Sequence, residues 1–174
     1  IPSEGAINLH PSLLPHNRGK SPNVWPLVDG TPAGVTLHYM DEAFDTGDII
    51  AQREVETSFA DTGKRLHRRL EDAQYDLFTE LWPDIESGTV ERIPQDSENG
   101  SYHTTEDFLE LCELNPDAEV RIEDLLNRLR ALTFPPFDNA QILVDDETYY
   151  VDIEIRRADE NDEEEEADGL LSSY

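Results

Sequence analysis

An asparagine and a histidine stand two positions apart in "AINLHPSLLP", residues 6–15, where a buried strand needs neither. Residues i and i+2 of a strand face the same side. Asn8 and His10 therefore project together at the end of the strand, where open α/β sheets build their sites. Histidine is the side chain that titrates closest to neutrality. An amide beside it donates to a carbonyl oxygen that gathers negative charge under attack. Pro11 and Pro15 stiffen the loop that follows. The missing carboxylate is offered by Asp45, in "DEAFDTGD" at 41–48, next to Gly47. Amide, imidazole and carboxylate together suit acyl transfer to an amine. The plain alternative is that Asn8 and His10 merely finish a buried strand, with Asp45 and Asp48 as ordinary turn residues. A metal site drawn from His10, His38, Asp41 and Asp45 has a spacing that matches no metal-binding motif, and no metal is expected.

Arg18, Gly19, Lys20 and Trp25 are the candidate substrate contacts. Arg18 and Gly19 suit a phosphate or the cap of a turn, Lys20 is one of only two lysines, and Trp25 suits a stacking platform or the core.

These groups need a scaffold, and the apolar pattern supplies an α/β one. Residues 6–9 read as a short strand ended by Pro11. Residues 21–29 read as a turn entering a short helix. "GVTLHYM" (34–40) and "IIAQREVE" (49–56) are rich in β-formers and flank the 41–48 loop. His38 reads as a packed strand residue. Leu66, Leu70, Ala73, Leu77 and Leu81 recur at helical steps, predicting a helix over 62–82 closed by Pro83 and Gly88. Residues 94–101 read as a linker. Thr104 and Asp107 have the spacing of a capping box. A second stripe, Ile122, Leu125, Leu126, Leu129 and Leu132, stops before Pro135 and Pro136, while Phe134 and Phe137 read as packing residues. "AQILV" and "TYYVDIEI" flank Asp145-Asp146-Glu147 as a hairpin. Beyond Arg157 the chain is an acidic, low-complexity tail of the kind that stays disordered.

The 174 residues suffice for one domain and a small second one, with 37% hydrophobic residues to build the core. A chain that begins at Ile1 reads as a piece of something longer. Forty acidic residues stand against 13 Lys and Arg, for a net charge of −27. Residues 159–168 hold eight acids and no base, so the excess is spread over the rest as well. Such a chain repels itself in dilute salt. Near 1 M salt the Debye length is about 3 Å and the repulsion is screened. A salt-rich cytoplasm fits this acid-rich, lysine-poor composition; a basic partner is the alternative. Nucleic-acid binding through a basic patch is not expected, nor is a membrane span. The lone Cys112 rules out an internal disulfide or a cysteine-rich zinc site.

"NLHPSLLPHNRGKSPNVW" (8–25) and "GVTLHYMDEAFDTGDII" (34–50) resemble the folate-dependent formyltransferase family. The resemblance runs over residues 5–93, and more loosely over "LLNRLRALTFPPFDNA" at 125–140. It implies that Asn8, His10 and Asp45 are catalytic, and that Asp41, Glu42, Ala43 and Phe44 lie at the pterin of the cofactor. It further implies 10-formyltetrahydrofolate as donor and an amine as acceptor. With "SYH" (101–103) and "RALTFPPF" (130–137), the look is that of the nucleotide-sugar N-formyltransferases, so the expected acceptor is a nucleotide-linked amino sugar. Methionyl-tRNA formyltransferase is the alternative, although an acidic tail repels tRNA phosphates. A non-catalytic acidic interaction module, the remnant of a formyltransferase, is the alternative of another class. The implied fold is the C-terminal part of a Rossmann-like formyltransferase domain (1–93), carrying the last strands of a parallel sheet. A small helix-plus-β-hairpin subdomain (94–157) and an acidic tail (158–174) follow. A second copy of the chain, forming a homodimer, is the candidate protein partner.

Overall fold

The computed structural model describes residues 5–158. Three strands, β1 (Ile7–His10), β3 (Gly34–Tyr39) and β4 (Ile49–Glu54), form a sheet in the order β1-β3-β4. Between β1 and β3 lie β2 (Arg18–Gly19) and helix α1 (Trp25–Asp29). Helix α2 (Gly63–Ser87) follows β4, and a 3-10 turn (Ser97–Asn99) leads to β5 (Tyr102–His103). Then come α3 (Thr105–Cys112), β6 (Glu113–Leu114), α4 (Ile122–Leu132), β7 (Gln141–Val144) and β8 (Glu147–Tyr150).

The sheet corrects one expectation. Both of its pairings are antiparallel, β1 with β3 and β3 with β4. For β3 and β4 the reason lies in the connection at 40–48, which is too short for the crossover that a parallel neighbour requires and can only turn the chain back; the longer 11–33 connection between β1 and β3 imposes no such limit. The register slips between Leu37 and His38, and such a bulge re-aims a side chain locally.

Helix α2 carries the expected stripe, with Leu66, Leu70, Ala73 and Leu77 buried. It does not stop at Pro83. The proline lies inside the helix, which runs on to a left-handed Gly88 whose N–H reaches the Asp84 and Ile85 carbonyls. Pro83 and Thr79, the residue whose carbonyl loses a helical partner, are both exposed, so water replaces that bond. Val35 and Leu37 of β3, Ile50 of β4, the α2 stripe and Leu129, Ala131 and Leu132 of α4 form one continuous core. Burying each such side chain contributes roughly 1.5–3 kcal/mol. Helix α4 has the predicted bounds, but Ile122 stands 78% exposed because the core meets this helix only from Leu125 onwards. The capping box at Thr104 and Asp107 is formed in both directions. Asp145 and Asp146 make the hairpin turn at φ 50° and 64°, the left-handed pair that a two-residue hairpin demands. The second strand ends at Tyr150, short of the expected 155.

The stretch read as a linker, 94–101, is instead a strap. Asn17 N–H donates to Ser101 Oγ at 2.7 Å, and Ser101 N–H to the Pro15 carbonyl at 3.2 Å. β5 pairs in parallel with β2. Polar residues that bond to backbone leave no apolar periodicity, so nothing in the pattern announces them. The acidic tail expected from 158 lies outside the described residues beyond its first position. Among the described residues, no helix is long and apolar enough to cross a membrane.

The charge excess has a thermodynamic consequence. Like charges held on a compact surface repel more than on an expanded chain. The thermal unfolding midpoint therefore rises as potassium chloride goes from 0.1 to 2 M, and a flat series refutes the salt-adaptation reading.

Candidate active site

Asn8, His10 and Asp45 meet at one place, and a residue read as mere packing, His38, joins them. The register of the sheet sets Asn8 opposite His38, so both side chains rise on the same face. His10 and His38 are 4% and 2% exposed, with rings edge to face at 6.1 Å between centroids.

Hydrogen bonds fix both tautomers. His10 Nε2 lies 3.2 Å from the Asn17 carbonyl. A carbonyl only accepts, so Nε2 carries the hydrogen and Nδ1 of the neutral ring keeps its lone pair. His38 Nδ1 lies 2.8 Å from the Tyr39 carbonyl, so by the same logic its Nε2 is the bare nitrogen. That nitrogen accepts from Asn8 Nδ2 at 3.3 Å. One amide hydrogen of Asn8 is thereby committed and the other is left for a ligand.

Asp45 is brought in by the 41–48 loop. Its own φ is 57°, a left-handed conformation that aspartate tolerates better than most residues. A Cβ on Gly47 would run into the Tyr39 carbonyl, so the loop closes on β3 only with glycine there. Asp45 Oδ2 accepts from Gly19 N–H at 2.9 Å. Gln95 Nε2 donates to the Asp45 and Gly47 carbonyls at 3.0 and 2.6 Å. The remaining oxygen, Oδ1, faces His10 Nδ1 at 3.6 Å and His38 Nε2 at 3.8 Å. Neither is a hydrogen bond. His10 is oriented by the Asn17 carbonyl, and Asp45 stands beside it as a charge. Burial pushes the His10 pKa down, against the opposing pull of Asp45 and of the bond to Asn17. At neutral pH the ring is therefore uncharged, with a lone pair turned towards the carboxylate.

The other candidates lie around this cluster. Asp41, Glu42, Ala43 and Phe44 form the exposed outer rim of the loop, with Phe44 75% exposed. Asp41 accepts from Thr46 Oγ1 and from Ala43 N–H, which holds that rim in shape. Asp41 stays outside the group formed by His10, His38 and Asp45. Gly19 touches Asp45 directly. Arg18 donates through Nε to the Ser101 carbonyl at 3.4 Å, and Lys20 is exposed. Trp25 is buried, donates through Nε1 to the Lys20 carbonyl at 2.7 Å, and stacks flat on His103 at 3.7 Å. It braces the 18–25 segment from inside the core. Asn17, His38, Gln95 and Ser101 were missed by sequence reasoning: the last three act through partners far away along the chain, and Asn17 orients His10 through its backbone carbonyl, which no side-chain pattern announces.

The chain and its fold have known relatives. Residues 1–81 match the family model described as formyl transferase, and residues 107–157 match the N-formyltransferase dimerization C-terminal domain. A dTDP-4-amino-4,6-dideoxyglucose formyltransferase of Mycobacterium bovis is 37% identical over 134 residues, covering 77% of this chain and 57% of the relative. A methionyl-tRNA formyltransferase of Halothermothrix orenii is 45% identical over 103 residues, 59% of this chain and 33% of the relative. The chain thus spans about half or less of the length of these relatives. Among solved structures, a 4-N formyltransferase from Francisella tularensis superposes with a TM-score of 0.83 at 34% identity, over 87% of this chain and 62% of that one. A formyltransferase from Anoxybacillus kamchatkensis, in complex with UDP-4,6-dideoxy-4-formamido-L-AltNAc and tetrahydrofolate, gives 0.60 at 40% identity, over 74% and 66%. With the amide, the imidazole and the carboxylate assembled on a fold shared with these proteins, the chain belongs to the formyl transferase family.

Proposed function

We propose that this chain carries the catalytic groups for formyl transfer from 10-formyltetrahydrofolate to the amine of a nucleotide-linked amino sugar. The observation that carries the reading is the convergence of Asn8, His10 and Asp45 on one point, with Asn8 keeping one amide hydrogen unspent. The amine nitrogen attacks the formyl carbon, and the oxygen gathers charge. Asn8 donates its free N–H to that oxygen. His10, once protonated at Nδ1, donates to the same atom, and the Asp45 charge 3.6 Å away favours that protonated form. Asp45 Oδ1 takes the proton released by the attacking nitrogen. The carbon–N10 bond then breaks as the carbonyl re-forms, and the proton that Asp45 took passes to N10 of the leaving folate, which returns Asp45 to its charged form. No step calls for a metal.

Asp41, Glu42, Ala43 and Phe44 face the pterin in this reading, and Arg18, Gly19, Lys20 and Trp25 border the acceptor. The names of the Mycobacterium bovis and Anoxybacillus relatives support a nucleotide-linked sugar. The Halothermothrix relative favours methionyl-tRNA as the second reading, against which stands a net charge of −27. The dimerization model over 107–157 supports a homodimer, and the hairpin exposes apolar side chains on both faces, Val144 and Tyr149 on one and Leu143 and Tyr150 on the other. The division into 1–93, 94–157 and 158–174, a cytoplasmic location and adaptation to salt complete the proposal.

The test uses the chain alone and the chain joined to the part of the Mycobacterium bovis relative that it does not span. β1 is an edge strand of its sheet, and a folate site built on so few strands lacks most of its walls. The joined protein formylates a dTDP- or UDP-linked amino sugar and leaves methionyl-tRNA untouched. The chain alone does not bind a stable folate analogue with submicromolar affinity by calorimetry. Formylation of methionyl-tRNA instead overturns the acceptor assignment, and tight folate binding by the chain alone overturns the placement of the pocket.

A further inference from the structure

Three electron pairs converge in this cluster, and the one hydrogen that reaches any of them is the Asn8 amide hydrogen on His38 Nε2. His10 Nδ1, His38 Nε2 and Asp45 Oδ1 all lie within 4.8 Å of one another, and the two nitrogens are bare because the Asn17 and Tyr39 carbonyls hold their ring hydrogens elsewhere. Neutral imidazoles and a carboxylate arranged this way repel one another until something positive sits between them. Tetrahedral zinc bonds of about 2.0–2.1 Å set neighbouring ligand atoms roughly 3.3 Å apart. The observed 3.6 and 3.8 Å to Asp45 Oδ1 need only a small contraction, and the two nitrogens, within 4.8 Å of each other, close in by side-chain rotation.

The outer contacts are those of a metal site as well. Metal-binding histidines nearly always give their other N–H to a carbonyl or carboxylate, and both histidines do. The second oxygen of Asp45 is held by Gly19 N–H. Both imidazoles are nine-tenths or more buried, and His10 Nδ1 has no hydrogen-bond partner besides the long approach to Asp45. Two nitrogens and one oxygen suit zinc, cobalt or nickel, whereas magnesium and calcium take oxygen.

We propose that His10, His38 and Asp45 bind a transition-metal ion of the zinc class, through Nδ1, Nε2 and Oδ1, as a reversible inhibitory site. The ion displaces the Asn8 amide from His38 and occupies the lone pairs that formyl transfer uses, so a bound ion and turnover exclude each other. The binding half rests on geometry alone; the inhibitory half rests on the function proposed above.

The test is calorimetric titration of the full 174-residue chain with zinc chloride in 1 M potassium chloride, which suppresses diffuse cation binding to the acidic surface. Cobalt(II) in parallel reports the ligand set by its visible d–d absorption. One ion binds per chain, with tetrahedral cobalt bands, and magnesium does not compete. His10→Ala, His38→Ala and Asp45→Asn each weaken binding by at least the roughly 10–100-fold that loss of an outer contact alone produces. If a histidine variant fails to fold by circular dichroism, the near-isosteric Asp45→Asn decides. Unchanged affinity in the folded variants, octahedral cobalt spectra or several equivalent weak sites overturns the proposal. Because these readouts need no turnover, an inactive protein that binds zinc at this cluster refutes only the catalytic reading.

Discussion

Replacing His10 with alanine lowers the rate of formyl transfer by about 10²–10⁴-fold, the range for loss of a positioned acid–base group or an oxyanion donor. Asn8→Ala and Asp45→Ala fall in the same range. The physical basis is that one carbonyl oxygen and one amine proton are shared among three side chains. Asn8 supplies a hydrogen to the oxygen, His10 supplies a second when charged, and Asp45 sustains that charge and takes the proton. Because they work as a unit, His10→Ala/Asp45→Ala loses far less than the product of the two single losses. His38→Ala acts through Asn8, by freeing the amide that His38 Nε2 holds at 3.3 Å. It lowers kcat with little change in KM for the sugar. Stability moves modestly in each case, since the bonds lost are few. If these residues were only structural, the pattern would reverse, with about 1–3 kcal/mol lost per buried polar group left unpaired and with rates preserved. Rates and unfolding midpoints measured on the same variants of the joined protein separate the two. Near-normal turnover in His10→Ala sinks the catalytic assignment.

What the sequence made legible follows a physical divide. Local period carried the helices, since Leu66, Leu70, Ala73 and Leu77 need only their own spacing to declare a buried face. Asn8 and His10 were legible for the same reason, being two apart on one strand. His38 was not, because its role depends on lying opposite Asn8 in a neighbouring strand, and no spacing along the chain encodes that pairing. The antiparallel sheet was misread through the resemblance to a Rossmann-like fold, although the nine residues between β3 and β4 already forbade a crossover. Pro83 misled because a helix breaker costs little where the freed carbonyl meets water. The strap was hidden for the opposite reason: Gln95 and Ser101 reach backbone groups 48 to 84 positions away, and polar residues doing so look like any solvated loop.

Arg130→Ala destabilises the fold by about 3–5 kcal/mol, the cost of taking one partner from a buried charged network. Arg130 is 8% exposed and sits at the C-terminal end of α4. Its Nη1 donates to the Ser58 carbonyl at 2.9 Å and the Asp61 carbonyl at 3.3 Å, and its Nε to Asn127 Oδ1 at 2.9 Å. The guanidinium also lies over the Phe59 ring at 5.1 Å. These contacts clamp the turn that starts α2 onto α4, between the two halves of the core. Beside them Asp61, itself buried, is paired with Arg69. Burial pulls the Arg130 pKa down and Asp61 pulls it back up, the signature of a charge retained in a dry place by its partners. Removing it leaves the Asp61 carbonyl unpaired, takes one of two donors from the Ser58 carbonyl, which keeps the Asp61 N–H at 3.0 Å, and leaves Asp61 with one cation fewer. For a chain of this size the midpoint falls by roughly 6–20 °C, at about 2–4 °C per kcal/mol. Arg121→Ala is the control, since the Arg121–Glu123 pair is exposed and such pairs contribute about 0–1 kcal/mol. Salt sharpens the contrast. Between 0.1 and 2 M potassium chloride every midpoint rises as surface repulsion is screened, but the gap between Arg130→Ala and the parent persists, because buried charges are screened far less than exposed ones. A gap that closes in high salt shows that Arg130 acts by offsetting net charge, as any surface cation does, and not by clamping α4 to the start of α2.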